Sequence, residues 1–196
     1  MPTVEVLTRE EIRKVYRDCC VRDFPADELR PLPLIEAALR RGEYRCFGLK
    51  DGGEMLAYAF LARLETAGGG LYLFDFFAVQ PALRNQGVGS RFLQALQREQ
   101  LRDADCVLLE VDDPASTESE TERELRRHRL GFYLRNGLRD SGVRSRVFDV
   151  DYVILEFPVK QPHSAAQLRD AYEAVYRAML PPAFFREKVH TFCAAD

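Results

Sequence analysis

In the stretch VQPALRNQGVGSRFL, residues 79–93, Arg84 stands three residues before the first of two glycines, Gly87 and Gly89, and an amphipathic run follows. Such a loop can turn its backbone N–H groups inward, and the start of a helix adds a positive dipole end. Together they make a site for an anion. Three further side chains stand in stretches that read as regular structure. Asp75 lies in LYLFDFFAV (71–79), Glu110 in CVLLEV (106–111) and Tyr133 in FYLRNGL (132–138). The two carboxylates can accept a proton, and a phenol of ordinary pKa, about 10, can donate one at neutral pH.

Three anionic ligands use glycine-rich loops of this kind. A nucleoside triphosphate requires G-K-[ST] after the glycines, whereas Gly89 is followed by Ser90 and Arg91. A dinucleotide requires G-x-G-x-x-G directly after a strand. Gly87-Val88-Gly89 supplies the G-x-G, and Glu110 stands about where a ribose-binding acid belongs, but Phe92 occupies the third glycine position. Seven residues also separate Val79 from Gly87. The third ligand is the pyrophosphate of coenzyme A, and VQPALRNQGVG matches the pattern V-x-P-x-x-R-x-x-G-x-G. With that pattern the sequence resembles the GNAT superfamily of acyl-CoA-dependent N-acetyltransferases. Arg84, Gly87 and Gly89 occupy the positions of its R/Q-x-x-G-x-G/A signature. FYLRNGL resembles the family's Y-x-x-x-G-F segment, with Tyr133 and Gly137 in register and Leu138 in place of phenylalanine. The alternative is a tight strand–helix turn at the glycines and a core aromatic at Tyr133.

The resemblance implies attack of an unprotonated amine on the thioester carbonyl of acetyl-CoA, used as cosubstrate without a metal. Backbone N–H groups of Arg84, Asn85, Gln86, Gly87, Val88 and Gly89 would hold the pyrophosphate, with Ser90 at the helix start. Phe77, Ala78 and Val79 would pair with the pantetheine arm, where a backbone N–H could also hold the oxyanion. Tyr133 is the implied general acid toward the departing thiolate. Glu110 matches the position of a catalytic glutamate in some members, and Asp75, an acid among aromatics, is its rival as base. The plainer readings are a solvated strand-end acid for Glu110, an arginine partner for Asp75 and a surface cation for Arg84. Many members carry an asparagine shortly before the tyrosine, whereas here the region reads LRRHRLGFY, with Arg126.

These residues need elements to hold them. TVEVL (3–7) reads as a strand, and Thr8 with Glu11 as a capping box opening a helix to about Val21. RPLPLIEAALRRG reads as a helix ending at Gly42, and YRCFGL, KDGGE and MLAYAFLARL as a hairpin. LYLFDFFAV is a buried strand, Val88 to about Leu101 a helix, and CVLLEV a strand. A polar loop then runs into a helix over Leu125–Leu134. VRSRVFDVDYVILEF forms two strands turning near Phe148–Asp149, and a last helix stops at Pro181 and Pro182. The expected fold class is α/β, a GNAT-like mixed, mostly antiparallel sheet flanked by helices. Residues 1–159 form the acetyltransferase domain, and residues 160–196 a C-terminal helical extension packed on it.

Composition narrows the class. The chain has 196 residues, 46% apolar and 30% charged, with net charge −3, which offers no basic footprint for nucleic acid. Cys19, Cys20, Cys46, Cys106 and Cys193 form an odd set without C-x-x-C, and no leader or spanning run appears, so reduced thiols in a cytoplasmic protein off the membrane are expected. His128, His163 and His190 are too scattered in sequence for a metal site. Glu110, Asp112, Asp113, Glu118, Glu120, Glu122 and Glu124, against Arg123 alone, read as a solvated loop or as an acidic lip for a cationic acceptor. Phe184, Phe185 and Phe192 must pack on their own domain or across a dimer. The acceptor is a small-molecule or protein amine, and the protein a monomer or homodimer. The rival function is a catalytically idle acyl-CoA-binding or interaction module.

Overall fold

Residues 1–26 and 28–193 are described by the computed structural model. The chain divides into two units, residues 1–63 with 74–100 and residues 64–73 with 101–196. The fold class is α/β, and among the described residues eight strands form a mixed and mostly antiparallel sheet flanked by helices. Among the described residues no helix is long and apolar enough to cross a membrane.

The first unit begins with strand β1 (Thr3–Val6) and helix α1 (Arg9–Val15), opened by the expected capping box between Thr8 and Glu11. The helical path continues through a π-helical turn, Tyr16–Cys20, into α2 (Val21–Asp23). Helix α3 (Leu32–Arg41) ends at Gly42, whose left-handed backbone (φ 76°) closes it as the sequence implies. Strands β2 (Tyr44–Asp51) and β3 (Glu54–Leu64) form the hairpin, turning at Gly52 and Gly53, both with positive φ. Strand β4 (Leu71–Val79) enters this unit at Phe74 and leads through a 3-10 turn (Pro81–Leu83) to α4 (Val88–Ala95). The strand order here is β1-β2-β3-β4. Its core is aromatic: Phe47, Tyr58, Phe60, Phe76 and Phe92 are fully buried.

The second unit carries β5 (Cys106–Asp112), α5 (Glu120–Arg135), β6 (Arg139–Val147), β7 (Val150–Glu156), α6 (Ala165–Met179), α7 (Pro182–Lys188) and β8 (Val189–Cys193). Its strands run in the order β5-β7-β6-β8 with antiparallel pairing throughout. Helix α5 starts at Glu120, five residues earlier than the apolar pattern indicates, because Ser119 accepts from the Glu122 N–H as N-cap and acids favour a first turn. The extension adds more than one helix. After Pro181 the chain opens α7 with Pro182 in its first turn and then adds β8 to the edge of β6. Of its aromatics, Phe184 and Phe192 are half exposed and Phe185 lies under the Arg177 guanidinium, 4.6 Å from its ring centre.

Candidate active site

In the first unit, local chemistry shapes the loop after β4. Arg84 donates from Nε to the Val79 carbonyl (3.2 Å) and from its terminal nitrogen to Asp23 (3.2 Å), and Gln86 donates to the Ala82 carbonyl (2.8 Å). Both long side chains are thus turned back on their own unit, and they brace the loop. Arg84 thus braces the loop while its side chain stays half exposed at the surface. Its partner Asp23 is nearly buried and also accepts from the Tyr58 hydroxyl (3.0 Å) and from Arg22.

The braced backbone passes through left-handed conformations at Asn85 (φ 62°) and Gly87 (φ 76°). Gly87 is the N-cap of α4, and among the described residues no side chain caps that helix. Its first N–H groups, which no intrahelical carbonyl can satisfy, therefore point out of the helix start beside Ser90. The space where a Gly87 Cβ would stand is open, so glycine is required there by conformation and not by crowding. Val88 and Gly89 are buried on the helix face that meets the core. Phe92, fully buried, stacks on Phe77 of β4 at 5.5 Å. A bulky ring therefore fills the place where a dinucleotide fold needs glycine. Ala78 is buried, while Phe77 and Val79 are half-buried on β4.

Asp75 is already engaged. Arg30 donates to its Oδ2 at 2.6 Å, and the Tyr44 hydroxyl donates to the same oxygen. Burial, with the Asp75 charge beside it, holds the Tyr44 phenol well above its ordinary range, so Tyr44 remains a donor. The plainer expectation for Asp75, an arginine partner, is what the structure contains.

In the second unit, Glu110 projects from β5 toward α6. Its Oε1 accepts the Tyr176 hydroxyl at 2.8 Å and the Tyr172 hydroxyl as well, and Ser145 Oγ lies 2.8 Å from the Tyr172 oxygen. Glu110 is not a solvated strand-end acid. The two tyrosines are the site feature that the sequence reading passes over. Their signal is Y-x-x-x-Y in DAYEAVYRAML, which puts both rings on one helix face.

Tyr133 lies in the last turn of α5, buried, against Phe132. Its spacing to Gly137 has a physical meaning. Leu138 N–H donates to the Tyr133 carbonyl (3.2 Å) and Gly137 N–H to that of Leu134 (3.1 Å), the paired bonds of a Schellman helix end. Gly137, at φ 88°, is the left-handed residue that the motif requires. The Y-x-x-x-G segment is thus a helix terminus that fixes where the phenol sits. Burial pushes the Tyr133 phenol up to about 12; the Arg129 cation opposes the rise and the Asp112 charge adds to it.

Three of the seven acids of residues 110–124 are paired with arginines of α5. Glu120 pairs with Arg123 and Arg127, Glu122 with Arg126 (3.1 Å) and Asp112 with Arg129 (2.9 Å). Arg126 also donates to the Asp113 carbonyl (3.1 Å) and to Ser116 (2.9 Å), so it ties down the loop that precedes its own helix. His163, far in sequence from the other histidines, joins Glu156 (2.6 Å) and Cys106. Arg139 binds the same buried Glu156, which makes this group an ion-paired knot. Burial raises the Cys106 thiol to about 12.

The family model for the acetyltransferase (GNAT) family matches residues 9–133. The chain belongs to the GNAT acetyltransferase family. Solved structures agree on the fold. One is a GNAT-family protein from Bacteroides thetaiotaomicron, 20% identical, at TM-score 0.62 over 93% of this chain and 98% of that one. Another is the ribosomal-protein-S18-alanine N-acetyltransferase of Escherichia coli, 21% identical, at TM-score 0.58 over 83% and 97%. A third is a Bacillus subtilis acetyltransferase in complex with CoA, 15% identical, at TM-score 0.52 over 82% and 100%. No curated protein matches the chain. The GNAT span includes the glycine loop, Glu110 and Tyr133, and it ends before Tyr172 and Tyr176.

Proposed function

We propose that this GNAT chain is an N-acetyltransferase that moves the acetyl group of acetyl-CoA to a primary amine, on a small molecule or a protein. The observation that carries the reading is the start of α4: a braced loop, left-handed at Asn85 and Gly87, opening a helix whose N-terminus no described side chain caps, within the family-matched span. Backbone N–H groups from Asn85 to Gly89, with the Ser90 hydroxyl, suit the pyrophosphate of the carrier, while the expected Arg84 N–H is instead given to the Pro81 carbonyl (3.3 Å). Phe77, Ala78 and Val79 suit its pantetheine arm. Residues 1–159 are the proposed catalytic domain, with 160–196 as its extension.

The reaction needs a proton removed and a proton supplied. The amine nitrogen forms a bond to the thioester carbonyl carbon as its proton passes to Glu110, directly or through a water. The C–S bond then breaks, and the thiolate takes the Tyr133 proton. A phenol with pKa about 12 stays protonated across the working range and therefore can serve as donor at each turnover. Asp75 suits the base less well, because the Arg30 cation pairs with its Oδ2 at 2.6 Å and opposes its protonation, whereas the donors on Glu110 are neutral phenols.

The test is a panel of amines with purified protein and acetyl-CoA, followed by release of CoA thiol. Replacing Gly89 with Glu places bulk and negative charge at the start of α4, and acetyl-CoA affinity should fall by tenfold or more, the effect of about 1.4 kcal/mol. A folded variant with unchanged affinity removes the loop from the binding site. NAD binding in the same titration would overturn the choice of ligand.

A further inference from the structure

We infer that Tyr172 and Tyr176 of the C-terminal extension are positioning residues for catalysis: their hydroxyls hold the Glu110 carboxylate ionised and aimed. The inference rests on the reading of Glu110 as the base and goes beyond it, since both tyrosines lie outside the family-matched span.

The hydrogen bonds have a forced direction. A phenol has one proton, and that of Tyr172 goes to Glu110 Oε1; the Ser145 hydroxyl, 2.8 Å away, must then donate to the Tyr172 oxygen. Tyr176 gives its proton to the same Oε1 at 2.8 Å. The network therefore runs from Ser145 to Tyr172 to Glu110, with Tyr176 as the second donor. A donor that itself accepts a hydrogen bond gives a stronger one, so Ser145 reinforces Tyr172. Donation to a carboxylate favours its charged form, which is the form that can take a proton from an ammonium substrate. Burial and the Glu110 charge hold the Tyr172 phenol well above its ordinary range, so it keeps the proton that it donates to Glu110.

The extension is built to keep this geometry. Tyr172 and Tyr176 are one helical turn apart, their rings 5.0 Å from centre to centre, and both are buried. The helix start is fixed by the Ser164–Gln167 capping box. Just before it, His163 and Arg139 meet on Glu156 at the end of β7. Further along, Glu173 of α6 accepts the Thr191 hydroxyl of β8. Strand register places Asp112, Tyr152, Glu156 and Arg139 on the sheet face that carries Glu110. Asp112 is paired with Arg129 of α5, and Glu156 with Arg139 and His163. From α6, Glu173 is paired with Arg177.

The experiment measures kcat/KM against pH with one acceptor for wild type, Tyr172→Phe, Tyr176→Phe and the double variant. The rings remain, and only the donors are lost. Each loss should move the acidic limb of the profile to higher pH by about one unit, the size expected for a hydrogen bond to a charged group. The acceptor's own ionisation is common to all and cancels in the difference. Site-specific 3-fluorotyrosine at position 172 keeps the donor and makes it more acidic, so the limb should move to lower pH. This arm does not depend on the phenylalanine variants folding. A limb that stays in place in all folded variants overturns the inference, leaving Tyr172 and Tyr176 as packing residues. Glu110→Gln separates that failure from failure of the underlying reading. If it retains wild-type rate and profile, Glu110 is not the base and the inference falls with it. If it abolishes turnover while the tyrosine variants titrate like wild type, only the inference falls.

Discussion

Tyr133→Phe separates a phenol that donates a proton from a ring that only fills space. The variant keeps the ring and removes one hydroxyl, so the packing against Phe132 and the Schellman end of α5 should persist. If Tyr133 protonates the thiolate, turnover should fall by about 10²- to 10⁴-fold with acetyl-CoA affinity near wild type. The structure supplies a second, independent magnitude. The folded phenol sits at about 12 against an ordinary value of 10.0. Its folded pKa is the higher, so the native state holds the proton longer, and stability falls as pH rises through this interval. Between pH 9 and pH 11 wild type should lose about 1.4 kcal/mol through this one group, since each pKa unit is worth about that much. Tyr133→Phe cannot lose it. Urea midpoints at the two pH values should therefore fall less for the variant, by roughly 0.7 M at a slope of about 2 kcal/mol/M. Equal falls for the two proteins would refute the buried, high-pKa phenol, and full turnover in the variant would refute the general acid.

Two glycine substitutions should differ sharply although both sites have positive φ. Gly137→Ala meets no atom within 4 Å at φ 88°, so it should cost only the conformational strain, about 1 kcal/mol, seen as a small drop in melting temperature. At Gly69 (φ 137°) a Cβ would overlap the Asp103 carbonyl oxygen, a backbone atom that cannot step aside, and Gly69→Ala should destabilise by about 3 kcal/mol or more. Glu11 caps α1 and pairs with Lys50, and the Lys50 hydrogen bond, foremost, holds its carboxyl down at about 2 from an ordinary value of 4.5. Its contribution is present above pH 4.5 and is lost as pH falls through 2, so Glu11→Gln should be less stable than wild type at pH 7 and the two melting curves should converge toward pH 2.

Most of what depends on neighbours along the chain was legible. The Thr8–Glu11 box, the left-handed stop at Gly42, the Gly52–Gly53 turn and the strand from Leu71 to Val79 are all local, because turn and cap geometry is decided within four or five residues. The α4 start at Gly87 and the helix end at Gly137 are local in the same way, so two segments about 45 residues apart were enough to place the chain in a family. The start of α5 was misjudged because the apolar period begins at Leu125, whereas the Ser119 cap and acidic first turn extend the helix back to Glu120. Strand β8 was missed because VHTFC is short and takes its stability from pairing along β6.

The roles of individual charges belonged to the tertiary structure. Nothing near Asp75 in sequence announces Arg30, 45 residues away, or Tyr44; the hydrogen bonds that occupy it are long-range. Arg84 is held by Asp23, 61 residues away, and Arg126 by the loop it folds back on. Glu110 lies 62 residues before Tyr172, and the sequence shows only an acid in an apolar strand and two tyrosines in a distant helix. A carboxylate's behaviour is set by which donors and charges stand within a few ångströms of it, and only the folded chain brings those groups there.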